Sequence, residues 1–450
     1  MGRYFGTDGF RGEANVTLTV EHAYKVGRFL GWYYGQKTPG EKCRIVIGKD
    51  TRKSGDMLEA ALTAGLCSMG AKVIPLGVVP TPAVAYLTRY YKADAGVVIS
   101  ASHNPCEYNG IKFFNSDGYK LSDGIENEIE SYILGEKAIE ELPTHGKVGY
   151  VSANHNAVED YVAFAVSTID CRLDGMKIAV DCANGASYET AFKALNKLGA
   201  NVEAIHNTPD GVNINHMCGS THMESLQAYV TSIGADIGIA FDGDADRMLA
   251  VDENGKLIDG DQIMAACAKF MRDNGTLKQN TLVATVMSNL GLFMAGEKIG
   301  INIPRTKVGD RYVLEEMLAK GYNIGGEQSG HIIFLDHNTT GDGLVSALQF
   351  LSVLKKTGMK ASEAASIVTV MPQVLRNAVV KLENKNSYME NEEIAAACKA
   401  LEDEFAGEGR VLIRPSGTEP LVRVMIEGKD EEYITKKAEE LAELIEKILG

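Results

Sequence analysis

From Arg44 the chain reads RIVIGKDTRKSGDMLEAALTAGLCSMGAKVIPLG, an apolar β-branched run, a polar loop, a helix-like stretch, a Gly-Ala corner and a second apolar run. The same order returns from Lys177 as KIAVDCANGASYETAFKALNKLGANVEAIH, and from Thr281, less cleanly, as TLVATVMSNLGLFMAGEKIGINIPRTKV. Strand, helix and strand in that order form a right-handed crossover between parallel strands. In the first copy Met57, Leu58, Ala61, Leu62 and Leu66 fall at helical spacing, which supports the middle element. Each copy is followed by a short strand that runs into a polar loop: ADAGVVISASHNP to Pro105, ADIGIAFDGDADR to Arg247, and YNIGGEQSGH to His331. Open parallel sheets bind ligands beyond the carboxyl ends of their strands, where such loops lie, so the three loops are expected to face a shared site.

Strand followed by polar loop is common to all α/β proteins, so the chemistry of these loops has to carry the inference. From about Met371 the pattern changes to a strand-like VLRNAVVKL, an acidic helical NEEIAAACKALEDEF, then GRVLIRPSGTEPLVRVMIEG and a final amphipathic helix. The predicted fold class is α/β, with three similar α/β domains of mixed, mainly parallel sheets and a C-terminal α+β domain. The predicted boundaries are 1–150, 151–253, 254–368 and 369–450.

Composition narrows the classes. A length of 450 residues exceeds one ordinary core, which fits several domains. A net charge of -15 argues against nucleic acid or an anionic membrane as partner. No apolar run is long enough to span a bilayer, and MGRYFGTDGFRG has no signal-peptide character. Eight scattered cysteines without a CxxC pair predict reduced thiols and a cytoplasmic protein.

The sharpest motif is DGDADR, Asp242 to Arg247. Carboxylates at i, i+2 and i+4 of an extended segment project to one side and make an oxygen cage for a hard cation. A calcium EF-hand is the rival, and Glu253 falls at its twelfth position. Arg247, however, stands where that loop needs glycine, and MLAV after it reads as a strand. A merely solvated acidic turn is the blander alternative; magnesium with positions open to phosphate oxygens fits better.

SASHNP, Ser100 to Pro105, ends an apolar strand in a loop whose serine could be a nucleophile or a phosphoryl carrier. Alone it would read as a turn, and no GxSxG elbow supports an esterase. Lys112 follows one short loop later, where a lone strand lysine is ordinarily a solvated charge. In GGEQSGH, Gly325 to His331, Glu327 and Ser329 alternate and could both reach hydroxyls of one sugar ring, while His331 could exchange a proton near neutral pH. RPSGTEP, Arg414 to Pro420, followed by Arg423, has the makings of a phosphate cradle. Arg414 offers a planar fork, Ser416 and Thr418 offer hydroxyls, and Gly417 lets backbone N–H groups approach an anion. GTDGFRG, Gly6 to Gly12, adds Arg11 in a glycine-rich opening.

Together and in this order, the five segments resemble the α-D-phosphohexomutase superfamily along almost the whole chain. The resemblance implies four domains around a central cleft and a phosphoserine enzyme that moves a phosphoryl group between two hydroxyls of one sugar phosphate. It implies Ser102 as the phosphorylated serine, Asp242, Asp244 and Asp246 with the Ser102 phosphate as Mg2+ ligands, and Glu327 and Ser329 as sugar contacts. It further implies Arg414, Ser416, Gly417, Thr418 and Arg423 as the clamp on the non-reacting phosphate, and Lys112, His331, Arg11 and Arg247 near the reacting phosphoryl group. A sugar bisphosphate as activator, a sugar-phosphate substrate, a homodimer and a cytoplasmic location are also implied. Within the superfamily, GTDGFRG and the glutamine of GEQSGH are most similar to bacterial members acting on glucosamine phosphates. The phosphomannomutase/phosphoglucomutase members typically carry another opening and another residue between Glu and Ser. CEYNG after SASHNP departs from relatives that place an aspartate before the asparagine, which leaves the catalytic positions intact. A phosphatase using the same serine and metal, and a non-catalytic phosphosugar or calcium sensor, are the other classes to be separated.

Overall fold

The computed structural model describes residues 4–6, 9–37, 40–139, 141–153, 156–388, 390–405, 407–416 and 419–450. Among them, one four-strand core occurs three times. In the first, Arg44–Lys49 lies parallel to Lys72–Val78 on one side and to Ala95–Ile99 on the other, with Tyr108–Asn115 antiparallel beside Ala95–Ile99. In the second, Lys177–Asp181 takes the central place between Asn201–Ile205 and Ile237–Phe241, and Met248–Asp252 is the antiparallel strand. In the third, Val283–Thr285 lies between Arg305–Thr306 and Ile324–Gly326, and Ile332–Phe334 is antiparallel. The crossover helices are Ser54–Ser68, Ser187–Lys197 and Leu290–Ile299. The threefold unit expected from the sequence is therefore present.

The repeated order explains the polar loops. Each one links a parallel strand to the antiparallel strand that hydrogen-bonds beside it, so both of its ends are tied into the same sheet. The strands feeding them are apolar runs such as AGVVI and IGIAF, buried at every position, as expected of strands covered on both faces. Val97, Ile99, Ile111 and Phe113 join Leu58, Leu62 and Phe29 in the first core.

Gly9–Glu13 widens the first sheet by pairing antiparallel with Tyr108–Asn115, and Tyr150–Val151 pairs parallel with Lys72–Val78 at the opposite edge. This register sets Arg11 opposite Gly110.

The C-terminal segment forms an antiparallel sheet in the order Gln373–Val379, Leu421–Glu427, Arg410–Pro415. Helices Glu392–Phe405 and Glu431–Leu449 supply Ile394, Ile434, Leu441 and Ile445 to its core. The α+β character read from the sequence is thus found. The chain divides into two compact units, Met1–Val286 with Ile301–Ile367, and Met287–Gly300 with Val368–Gly450. In the second, Asn289 bonds both the N–H and the carbonyl of Met371, and Glu427 accepts from the Leu290 N–H. All eight cysteines are free. No helix among the described residues is long and apolar enough to cross a membrane.

Candidate active site

Ser102 sits in the left-handed region at φ 53, an arrangement that costs a non-glycine residue about 1 kcal/mol or more and persists only when its neighbours enforce it. Its N–H donates to Ser100 Oγ at 3.0 Å, and Ser100 Oγ donates to Asp50 Oδ2 at 2.6 Å. Its carbonyl accepts from Arg52 Nη2 at 2.9 Å and from Asn215 Nδ2 at 2.8 Å. The hydroxyl donates to Asp242 Oδ2 at 2.7 Å. Ser100 is the anchor behind Ser102.

Asp242 to Arg247 are not extended, which corrects the reason given above for the convergence of the carboxylates. The segment is a turn, with Ala245 at φ 55 and the Ala245 N–H bonded to the Asp242 carbonyl at 3.1 Å. The turn itself brings one oxygen each of Asp242, Asp244 and Asp246 within 4.8 Å of one another. Thr81 Oγ1 and Lys112 Nζ both donate to Asp244 Oδ2, at 2.6 and 3.0 Å, and the Thr81 N–H donates to the Asp244 carbonyl. Burial, then the charges of Asp246 and Asp244, push the Asp242 carboxyl well above the usual carboxylate range. Asp246 Oδ1 is buried with no hydrogen-bond donor in range, His331 Nδ1 being 3.6 Å away. Three crowded carboxylates with an unsatisfied oxygen are the donor set a hard divalent cation takes, so the residues fit a bound metal ion.

Cationic side chains surround this turn. Lys112 is 4% exposed, so it is a buried partner of Asp244 and not the solvated charge a strand lysine usually is. Arg247 donates its N–H to Asp242 Oδ1 at 3.2 Å, and its Nη1 lies 3.3 Å from His103 Nδ1. A guanidinium only donates, so Nδ1 is the lone-pair nitrogen of His103. Burial and the nearby Arg247 and Arg11 lower the His103 pKa, and its Nδ1 is 3.4 Å from Ser102 Oγ.

His331 is buried beside two carboxylates. Its ring packs on Gly341, where a Cβ would come within 2.4 Å of Nε2. Nδ1 and Nε2 face Asp246 and Asp310 at 3.6 and 3.5 Å. Burial alone would lower its pKa, but Asp246, Asp310 and Glu327 carry it up to about 9. These carboxylates favour the protonated form of the ring.

Glu327 and Ser329 also lie in a turn and do not alternate along a strand, which again corrects the reasoning from sequence. Gly330 is at φ 90 and its N–H bonds to the Glu327 carbonyl. Glu327 Oε1 accepts from the Gly309 N–H at 3.2 Å, Gln328 Nε2 donates to Asp259 at 3.0 Å, and Ser329 is exposed. The Gly330 carbonyl accepts from the Met248 N–H at 3.0 Å, which joins this turn to the strand leaving the aspartate turn.

In the second unit, Arg414 and Arg423 are directly opposite one another on neighbouring antiparallel strands. Burial, followed by the charge of Arg423, lowers the Arg414 pKa. Like charges in that register repel, and an anion between them would reverse the sign. Ser416 Oγ accepts from the Glu419 N–H at 3.3 Å, and Glu419 pairs with Arg423 at 3.3 Å. Gly417 and Thr418 lie outside the described residues, as do Thr7 and Asp8 of the opening motif.

Reasoning from the sequence assigned no role to Arg52, Thr81, His103, Asn215 or Asp310. His103 was within reach of it, standing inside SASHNP beside the serine. The other four reach the site from loops and helix ends remote in sequence.

Comparison with known proteins agrees with the fold and the order of these loops. Four family models match in sequence: phosphoglucomutase/phosphomannomutase alpha/beta/alpha domains I, II and III at residues 2–140, 158–255 and 259–371, and the C-terminal domain at 378–444. Phosphoglucosamine mutase of Ruminiclostridium cellulolyticum is 61% identical over 446 residues, 99% of each chain. That of Acetivibrio thermocellus is 61% identical over 450 residues, 100% of each. A phosphoglucomutase/phosphomannomutase family protein of Burkholderia thailandensis superposes with TM-score 0.81 at 23% identity, covering 98% of this chain and 96% of that one. N-acetylphosphoglucosamine mutase of Aspergillus fumigatus, solved with GlcNAc-6P and magnesium, gives 0.70 at 18% identity, covering 99% and 96%. The chain is a phosphohexomutase and belongs to the phosphoglucomutase/phosphomannomutase family, in its phosphoglucosamine mutase branch.

Proposed function

We propose that the chain interconverts glucosamine 6-phosphate and glucosamine 1-phosphate, with Ser102 carrying the phosphoryl group through a glucosamine 1,6-bisphosphate. The observation that carries this reading is the hydroxyl of a conformationally held serine 2.7 Å from Asp242 in a turn of three converging carboxylates. The sugar is inferred from the full-length relatives named phosphoglucosamine mutase.

Phospho-Ser102 gives its phosphoryl group to the free hydroxyl of the monophosphate: the serine O–P bond breaks, a sugar O–P bond forms, and the hydroxyl loses its proton. The bisphosphate turns over, and its other phosphoryl group returns to Ser102. Serine and sugar esters are close in energy, so catalysis is mostly positioning and charge stabilisation. Asp242, Asp244 and Asp246 would hold Mg2+, whose bound charge offsets that of the phosphoryl oxygens. Lys112, Arg247 and Arg11 add fixed positive charge around the reacting group, and His331 lies beside Asp246. His103 Nδ1, 3.4 Å from Ser102 Oγ and facing Arg247 Nη1, lines the reacting group.

Glu327 and Ser329 are assigned to the sugar hydroxyls. Arg414, Ser416, Gly417, Thr418 and Arg423 are assigned to the phosphate that does not react, supported by the two opposed arginines. The loops divide among domains 1–150, 151–253, 254–368 and 369–450. A bisphosphate activator that primes Ser102, a cytoplasmic location and a homodimer complete the proposal.

A coupled assay offering glucosamine, glucose and mannose 6-phosphates, primed with bisphosphate, tests the function. Glucosamine 6-phosphate should turn over at least about tenfold faster than the others. Equal rates overturn the specificity, and inorganic phosphate as the main product makes the protein a phosphatase.

A further inference from the structure

Ser102 is a left-handed residue whose two flanking peptide planes are both pinned. The plane before it is held through its N–H by Ser100, which is bonded to Asp50. The plane after it is held through its carbonyl by Arg52 and Asn215. Arg52 is a fully buried cation paired with Asp50 at 2.9 Å, and it also donates to the carbonyls of Asn104 and Pro105. With planar peptides fixed on both sides, φ and ψ of Ser102 have no freedom, and only the side-chain torsion remains to aim the hydroxyl.

Arg52, Asp50 and Ser102 follow neighbouring strands of one sheet, Arg44–Lys49 and Ala95–Ile99, but Asn215 does not. Asn215 Nδ2 reaches across from the second four-strand core to the carbonyls of Ser102 and Asn104, at 2.8 and 3.0 Å. It touches the aspartate turn as well, because a Cβ on Gly243 would lie 2.7 Å from Asn215 Nδ2 and 2.6 Å from the Ser102 carbonyl. The amide orientation is unambiguous: two carbonyl oxygens demand the NH2 end.

The loop bearing Asn215 is itself held rigidly. Asn215 is at φ 58, its N–H bonds to the carbonyl of Ala183 at φ 52, and Met217 is at φ 51. Asp181 supports that arrangement by accepting from the N–H groups of Ala183 and Gly219 and from His206 Nδ1, at 2.8, 3.0 and 2.9 Å. Asp181, His206 and Cys218 are close enough together to hold a metal, but the oxygens of Asp181 are already occupied by these three donors, so the cluster is a buttress.

We propose that Asn215 is a positioning residue for phosphoryl transfer: its side-chain amide sets the register between the Ser102 loop and the aspartate turn. The inference rests on the phosphoserine reading. Displacement of a reacting group by about 1 Å can cost on the order of a hundredfold in rate, and Asn215 bridges the two segments whose separation sets that distance.

The test uses the full-length, dephosphorylated protein with radiolabelled glucose 1,6-bisphosphate as probe, following label on Ser102. Asn215→Gly removes the amide while suiting a left-handed backbone, and Asn215→Asp keeps shape and backbone but turns a carboxylate toward two carbonyls. Both should label about tenfold to a hundredfold more slowly than wild type, with the sugar-phosphate KM changed by less than about twofold. Circular dichroism and thermal melting establish that the compared proteins are folded. Labelling of folded Asn215→Gly at the wild-type rate overturns the inference, as does a loss in either variant that only tracks its unfolded fraction. Failure of wild-type Ser102 to label would instead sink the phosphoserine reading itself.

Discussion

The aspartate turn and the arginine pair of the C-terminal unit are both proposed to handle phosphate, yet they are built in opposite ways. Around Ser102 and Asp244 the reactive groups are about 1% exposed, and the hydrogen bonds fixing them measure 2.6 to 3.0 Å. At Arg414 and Arg423 the side chains are partly open, Arg423 meets Glu419 at 3.3 Å, and two cations face each other. In the first region short hydrogen bonds fix Ser102 and Asp244, and what remains open is the oxygen set proposed for a cation. In the second, two like charges stand in register, and under the proposed function a phosphate from either end of a sugar would complete them. Preorganisation belongs where bonds change and tolerance belongs where a ligand must be accepted in two orientations.

That contrast can be broken most severely at Asp244. Asp244→Asn removes one carboxylate of the trio and weakens the partner of Lys112. Loss of several kcal/mol of charge stabilisation corresponds to about a thousandfold in kcat, with weaker Mg2+ binding by calorimetry. Activity within tenfold of wild type and unchanged Mg2+ binding would remove the trio from the mechanism.

The arginine pair should fail differently. Arg423→Gln should raise KM by about tenfold to a hundredfold, the worth of one charge-assisted hydrogen bond to phosphate, and leave kcat nearly unchanged. Because it also removes a repulsion, the ligand-free melting temperature should not fall, while the stabilisation produced by added phosphate should shrink. A kcat loss at constant KM would erase the distinction between the two regions.

The smallest effect lies in the buttress behind Asn215. The hydrogen bond from His206 to Asp181 raises the His206 pKa above its usual 6.5. A raised folded-state value stabilises the protein fully below the unfolded pKa, and that stability is lost as pH rises through the folded one. The stability difference between wild type and His206→Gln, measured by denaturant titration, should therefore be larger at acidic than at alkaline pH, by less than about 1 kcal/mol. A pH-independent difference would remove the pair from the support of the loop.

Much of this was legible in the sequence. The three crossover units stood out because buried parallel strands read as unbroken β-branched runs, and the polar loops stood out by the chemistry of their residues. The aspartates, the serine and the arginines were visible by their chemistry, but how they come together was not. Ser102 and Ala245 are left-handed without being glycine, so no residue type marks either turn. Arg52 looks like an exposed loop cation, and only the folded chain shows three carbonyls closing over its guanidinium. Thr81 and Asp244 are 163 residues apart, and nothing local in either segment announces the pairing. Local patterns carry strands and turns; long-range polar partnerships leave no period to detect.

The recurrence of one four-strand core has a consequence for how such a protein can change over generations. Three equivalent positions, each clamped at both ends by a sheet, give three loops separate places in one repeated scaffold. The proposed sugar contacts and the proposed phosphoryl carrier thus lie on different copies of one architectural unit, so a change in one copy need not alter the other.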